Sequence, residues 1–176
     1  MVPGLEVKFA GGAPLLTDGH VMEGYASLFG LTDQGGDAVR PGAFAASLAR
    51  LAAKGDKVRM LWQHDAAKPI GVWDDIREDE KGLWVKGRLL PDVAQAREAA
   101  ALIQAGAIDG LSIGYRTLRA EKDQAGRRIL TEVELWEVSL VTFPMLPEAK
   151  VGRKDADDVR EMAAVFNAAA QALRGE

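Results

Sequence analysis

The chain contains no cysteine, only two histidines (His20 and His64) and only four serines, Ser27, Ser47, Ser112 and Ser139. The first absence excludes a thiol nucleophile, a thiolate metal site and any disulfide framework, and it fits a reducing compartment. The scarcity of histidine and serine means that nucleophilic catalysis, if there is any, has few combinations to draw on. Positive charge is also in deficit: 22 Lys and Arg against 26 Asp and Glu give a net charge of -4, which argues against a general nucleic-acid binder. No apolar run approaches the roughly 20 residues that span a bilayer. The start, Met1-Val2-Pro3-Gly4, lacks the basic and apolar segments of a secretory signal. The expectation is a soluble cytoplasmic protein with neither nucleic acid nor membrane as a partner.

What is present suits one globular domain: 176 residues, 48% of them apolar, suffice to bury a core without metal or disulfides. Alternation predicts strands over Leu5 to Phe9, Val21 to Phe29, Lys57 to Asp65, Ile70 to Asp74, Leu83 to Leu90, the stretch around Ser112, and Ile129 to Thr142. Helical spacing of Phe44, Leu48 and Leu51 predicts a helix from Pro41 to Lys54, ended by Gly55. A second helix opens at Pro91-Asp92, carries Val93, Ala96, Ala100 and Ile103 as its apolar stripe, and ends near Gly106. After Val151 the composition changes, and a third amphipathic helix fits Asp155 to Leu173. The expected fold is mainly β with outer helices (α+β): a closed antiparallel barrel of about seven strands over residues 1–151, followed by a helical tail over 152–176.

Asp109-Gly110-Leu111-Ser112-Ile113-Gly114-Tyr115 organises the reading. A period of two puts Leu111, Ile113 and Tyr115 on one face and Ser112 on the other, with Gly110 and Gly114 beside it. Glycines there remove neighbouring side chains and give a substrate backbone room to approach. The string matches the nucleophile-elbow pattern G-x-S-x-G, but an elbow needs a helix directly after the serine and a histidine later in the chain. Tyr115 to Arg119 continues as strand and both histidines precede Ser112, so an α/β-hydrolase is excluded. His64 ends an apolar strand beside Asp65. It is either a surface histidine at a strand end or the base for a serine hydroxyl; His20, in a turn after Asp18-Gly19, reads as solvated. Glu137 lies among bulky neighbours in Leu135-Trp136-Glu137-Val138-Ser139. A carboxylate there needs a partner, which is an arginine such as Arg116, open solvent at a sheet edge, or an imidazole that it orients. Ser139, on the same face, is placed to hydrogen-bond within such a group.

Taken together, Trp62-Gln63-His64-Asp65 with Pro69-Ile70-Gly71, Gly110 to Tyr115, and Glu137 to Pro144 followed by Pro147-Glu148-Ala149 resemble the prohead maturation serine proteases of tailed bacteriophages. Gly24 to Phe29 and Val39 to Phe44 fit the same family, and the resemblance spans about residues 20 to 151. That family is similar in fold to the herpesvirus assemblins, a barrel with outer helices whose third catalytic member is a histidine on the strand matching Glu137. The resemblance implies Ser112 as nucleophile, His64 as general base and Glu137 as the orienting third member, with no cofactor and no metal ion. Phe143-Pro144-Met145 stands where the assemblins carry an arginine that serves the oxyanion. The implied partners are the major capsid protein with its scaffolding segment and further copies of this chain, through self-cleavage and homo-oligomerisation. The implied place is the interior of an immature capsid in the bacterial host cytoplasm. Two rival readings are a non-catalytic capsid-assembly or scaffold-binding module and, with less behind it, a small-ligand barrel.

Overall fold

A computed structural model of the chain describes residues 6–11, 16, 18–33, 35–108 and 110–143. Its elements are β1 (Glu6–Gly11), β2 (Val21–Leu28), β3 (Asp37–Val39), α1 (Ala45–Lys54), β4 (Arg59–Trp62), β5 (Asp65–Glu78), β6 (Gly82–Leu89), α2 (Ala94–Gln104), β7 (Gly110–Lys122) and β8 (Arg128–Val141). The helix expected over Asp155 to Leu173 lies outside the described residues. Among those described, no helix is long and apolar enough to cross a membrane.

The helices form where the apolar spacing placed them, with both starts moved: α2 begins at Ala94 rather than at Pro91-Asp92, and α1 is displaced likewise. Residues 41–44 make a turn, so α1 starts after Pro41 rather than on it. The Phe44 N–H at its start donates to Glu78 Oε1 at 2.8 Å, which sets a carboxylate on the positive end of the helix. At the other end Gly55 is left-handed (φ 66°), its N–H bonds Ala52 and that of Asp56 bonds Leu51, closing the last turn. Phe44 is fully buried, and Leu48 and Leu51 pack beside it. In α2, Ala96, Ala99 and Ile103 are buried.

One sheet carries the fold, in the order β1-β7-β8-β4-β5-β6-β2, with the short β3 set off this path against β8. Three expectations are corrected here. The sheet is an open, curled half-barrel rather than a closed barrel: β1 pairs only with β7 and β2 only with β6 among the described residues, so the path ends at both strands. Alternation reports which face of a strand is buried; closure depends on tilt and stagger summed over all strands, which no single strand encodes. Nor is the sheet purely antiparallel, because β3 and β4 both run parallel to β8. The chain between β4 and β8, with its intervening strands and α2, is long enough for the crossover that a parallel pair demands. The strand expected from Lys57 to Asp65 is also interrupted. Gln63 and His64 form a turn between β4 and a β5 longer than predicted.

A bulge in the β7–β8 ladder then decides which side chains of β8 share a face. Gly114 pairs with Glu137 but Tyr115 pairs with Leu135, leaving Trp136 as the extra residue. Leu135, Val138 and Leu140 therefore all join Leu111, Ile113 and Tyr115 in the core. Ser112, Gly114, Glu137 and Ser139 are left together on the opposite face.

Candidate active site

Three adjacent strands, β7, β8 and β4, bring the polar residues of that face together. Residues directly opposite in an antiparallel pair have their Cβ atoms about 4.5–5.5 Å apart. Ser112 is opposite Ser139, and Gly114 is opposite Glu137. On the other flank of β8, Leu61 pairs with Ser139 and Trp62 with Leu140. The parallel ladder stops there, and the next two residues of the chain turn back over it.

That turn joins β4 to β5 and has two residues, Gln63 and His64, with Trp62 and Asp65 paired across its base. Both have positive φ, 52° and 59°. A two-residue hairpin with both φ positive is of type I′, where asparagine, aspartate and glycine are the favoured occupants. A side chain that lacks their tolerance of this region costs roughly 1–2 kcal/mol per residue. Four backbone and side-chain bonds, two to β8 and two to Thr142 just past its end, hold Gln63 and His64 there. The N–H of Gln63 donates to the Leu140 carbonyl at 2.9 Å, its Nε2 to Thr142 Oγ1 at 2.6 Å, and its Oε1 accepts from the Thr142 N–H at 3.3 Å. The N–H of His64 donates to Ser139 Oγ at 3.2 Å.

The turn lays the imidazole on Glu137. His64 Nδ1 and Glu137 Oε1 are 2.6 Å apart, with the two side chains 15% and 5% exposed, so the contact is shielded from water. An ionised carboxylate only accepts, so the Nδ1–H donates to it, and Nε2 on the far edge of the ring is the proton-accepting nitrogen. The other carboxylate oxygen, Oε2, accepts from the Ser139 hydroxyl at 2.6 Å. A buried carboxylate with two charge-assisted hydrogen bonds is satisfied rather than stranded. Of the partners open to Glu137 in the sequence, the geometry selects the imidazole: Arg116 pairs instead with Glu134 at 2.8 Å.

Space for that carboxylate comes from Gly114. Its backbone is not left-handed, and a Cβ built on it would run into Oε1, Cδ and Cγ of Glu137. The glycine after the serine therefore makes room for the acid, a different use from the substrate clearance its spacing suggested. Ser112 itself is buried, as is Ser139. His20 sits apart from this group, in the turn that precedes β2. Sequence reasoning passed over Gln63 and Thr142 as functional residues. The one local hint was a two-residue interruption between apolar Trp62 and the more exposed start of β5.

A family model described as the caudovirus prohead serine protease matches residues 11–164 of this chain. The prohead protease of Enterobacteria phage HK97 is 36% identical over 168 residues, which cover 92% of this chain and 71% of that protein. The prohead protease of Escherichia phage T5 is 35% identical over 88 residues, 48% of this chain and 40% of that one. Among solved structures, the capsid assembly protease of bacteriophage T4 is similar in fold, with a TM-score of 0.62 at 17% identity over 78% of this chain and 96% of that chain. A varicella-zoster virus protease gives a TM-score of 0.43 at 14% identity over 76% and 62% of the two chains.

Proposed function

The chain belongs to the caudovirus prohead serine protease family, and on that premise we propose that it is a serine endopeptidase working through Ser112, His64 and Glu137. The observation that carries the reading is the 2.6 Å contact between His64 Nδ1 and the buried Glu137, on the sheet face that also bears Ser112. With Nδ1–H committed to the carboxylate, Nε2 accepts the Ser112 proton as Oγ attacks a scissile carbonyl. The carboxylate stabilises the imidazolium so formed. His64 returns the proton to the leaving amine, an acyl-enzyme remains on Ser112, and a water activated by the same nitrogen releases it. Glutamate suits the orienting role because, like aspartate, its carboxylate holds the imidazole in one tautomer.

The substrates in this reading are the scaffolding segments of capsid proteins within the immature shell, and the protease chain itself. It acts inside the prohead in the host cytoplasm. Co-expression with the neighbouring major capsid protein, followed by mass measurement, tests this directly: the native chain shortens the capsid protein and Ser112→Ala leaves it intact while keeping its fold. Undiminished processing by Ser112→Ala removes the assignment. Glu137→Gln keeps the shape of the side chain but makes the wrong tautomer favourable, and its turnover is expected to fall by about 10⁴-fold, as for the matching change in a serine triad. A fluorophosphonate that labels Ser112 separates the enzyme from a non-catalytic assembly module of the same fold.

A further inference from the structure

We propose that Gln63 is a positioning residue, whose carboxamide, clamped on Thr142, keeps the β4–β5 turn in the arrangement that seats His64 on Glu137. The inference rests on the protease reading for its kinetic arm and on geometry alone for its spectroscopic one. Backbone pairing between β4 and β8 ends at Trp62 and Leu140, and the Gln63 N–H adds one last bond to Leu140. Beyond that point the amide side chain takes over. It spans to Thr142 and uses both ends: Nε2 donates to the hydroxyl at 2.6 Å and Oε1 accepts from the backbone N–H at 3.3 Å. Thr142 is the residue after the last residue of β8, so the clamp ties the tip of the hairpin to the end of the strand that carries Glu137 and Ser139.

The residue type argues for this use. With φ at 52° and 59°, the turn would be better served at position 63 by asparagine or glycine. Glutamine has no such backbone advantage, but its extra methylene gives the reach to Thr142. A local preference overridden where a side chain gains two long-range bonds is the pattern expected beside a site whose geometry must be held. The imidazole follows the turn rigidly because His64 is itself fixed at two points, its N–H on Ser139 Oγ at 3.2 Å and its Nδ1 on Glu137 at 2.6 Å. Rotation of the turn would move both together.

The test uses the full chain and two variants that suit their backbones, Gln63→Asn and Thr142→Val. Asparagine favours the left-handed region and valine keeps the β-branched shape of threonine, so both are expected to melt within a few degrees of the native chain by circular dichroism. The maximal rate of Ser112 labelling by a fluorophosphonate is expected to fall about 100-fold in each, as a displacement on the order of 1 Å in a catalytic group would cause. The probe concentration giving half the maximal rate stays unchanged, since the clamp does not touch the probe. The double variant is expected to be no slower than Gln63→Asn alone, because Thr142→Val removes the hydroxyl bond, one of the two that the shorter amide already gives up, and leaves the Thr142 N–H in place. In proton NMR, a low-field resonance of the His64 Nδ1–H is expected from the native chain and is expected to be missing from both variants. Gln63→Asn that labels at the native rate, or keeps that resonance, overturns the proposal. If even the native chain fails to label, the protease reading is what suffers, and the resonance alone decides for or against the clamp.

Discussion

Opposite Glu137 in the β7–β8 ladder, Gly114 occupies a position where a side chain would collide with the carboxylate. Gly114→Ala therefore either displaces Glu137 from His64 or parts the two strands, and overpacking a buried position costs about 1–3 kcal/mol. The expected result is lower urea stability by that amount together with loss of Ser112 labelling; native labelling at unchanged stability would mean that the carboxylate has room to spare. Ser139 is the second residue on which the acid depends. Its hydroxyl donates to Oε2 and accepts from the His64 N–H, so Ser139→Ala strips a partner from each. A buried group left unsatisfied costs about 1–3 kcal/mol, measurable by urea titration, and turnover should drop with it. As candidates, Ser112 and Glu137 stand out in the sequence because each breaks an apolar alternation, one as a hydroxyl and one as a charge in need of a partner. The use of Gly114 was not legible there, since a missing side chain does not say which neighbour fills its space. Gln63 was silent for another reason: positive φ in a glutamine leaves no composition signal.

Element by element, the β7–β8 hairpin shows how local chemistry sets a boundary that packing does not. Beyond Tyr115 the strand leaves the core, and Thr117 to Lys122 are largely exposed. Cross-strand pairs such as Arg119 with Glu132 at 3.4 Å are solvated and worth under about 1 kcal/mol each. The turn at its tip is built instead on Asp123, whose carboxylate accepts from the N–H groups of Ala125 and Arg127, each at 2.9 Å, and from Arg127 Nε at 2.6 Å. The Arg127 side-chain bond, foremost among these, holds the Asp123 carboxyl below its ordinary value of 3.8. A carboxylate with a lowered pKa stabilises the fold fully above its unfolded value and ceases to do so as pH falls through the lowered one. Asp123→Asn should thus be less stable than the native chain at neutral pH, with the difference closing in acid; a gap that does not narrow as pH falls would contradict this account. In the same turn Gly126 has φ 79° with open space around it. Gly126→Ala should cost about 1–2 kcal/mol from backbone conformation alone, with Ser112 labelling unaffected. This turn was readable from Lys122-Asp123-Gln124-Ala125-Gly126 because its bonds are local, whereas β3 was missed because its three residues owe their strand geometry to β8.

At the level of the whole molecule, β8 is the strand that makes the site possible. It lies between β7 and β4, so the chain order His64, Ser112, Glu137 becomes the spatial order of β7, β8 and β4 with the acid in the middle. Nothing in the sequence announces that adjacency. The parallel pairing of β4 with β8 joins segments separated by three strands and a helix, while the alternation within each strand is indifferent to which neighbour it gains. The mainly β character with outer helices was readable for the opposite reason, since burial on one face is a property each strand carries by itself. The core bears on the division of the chain proposed at Val151. Its buried cluster, among the described residues, runs from Met22 to Leu140 and draws on the strands and both helices. A sheet with its own core of this extent should fold as a unit. The family match nevertheless continues to residue 164, so the two boundaries make different predictions. If residues 1–151 are the folding unit, a chain ending there should unfold in urea in one transition, with a midpoint and slope close to those of the full chain, and should retain Ser112 labelling. If the segment up to residue 164 completes the core, the shorter chain should show a shallower slope or a lower midpoint, and a chain ending at residue 164 should restore both.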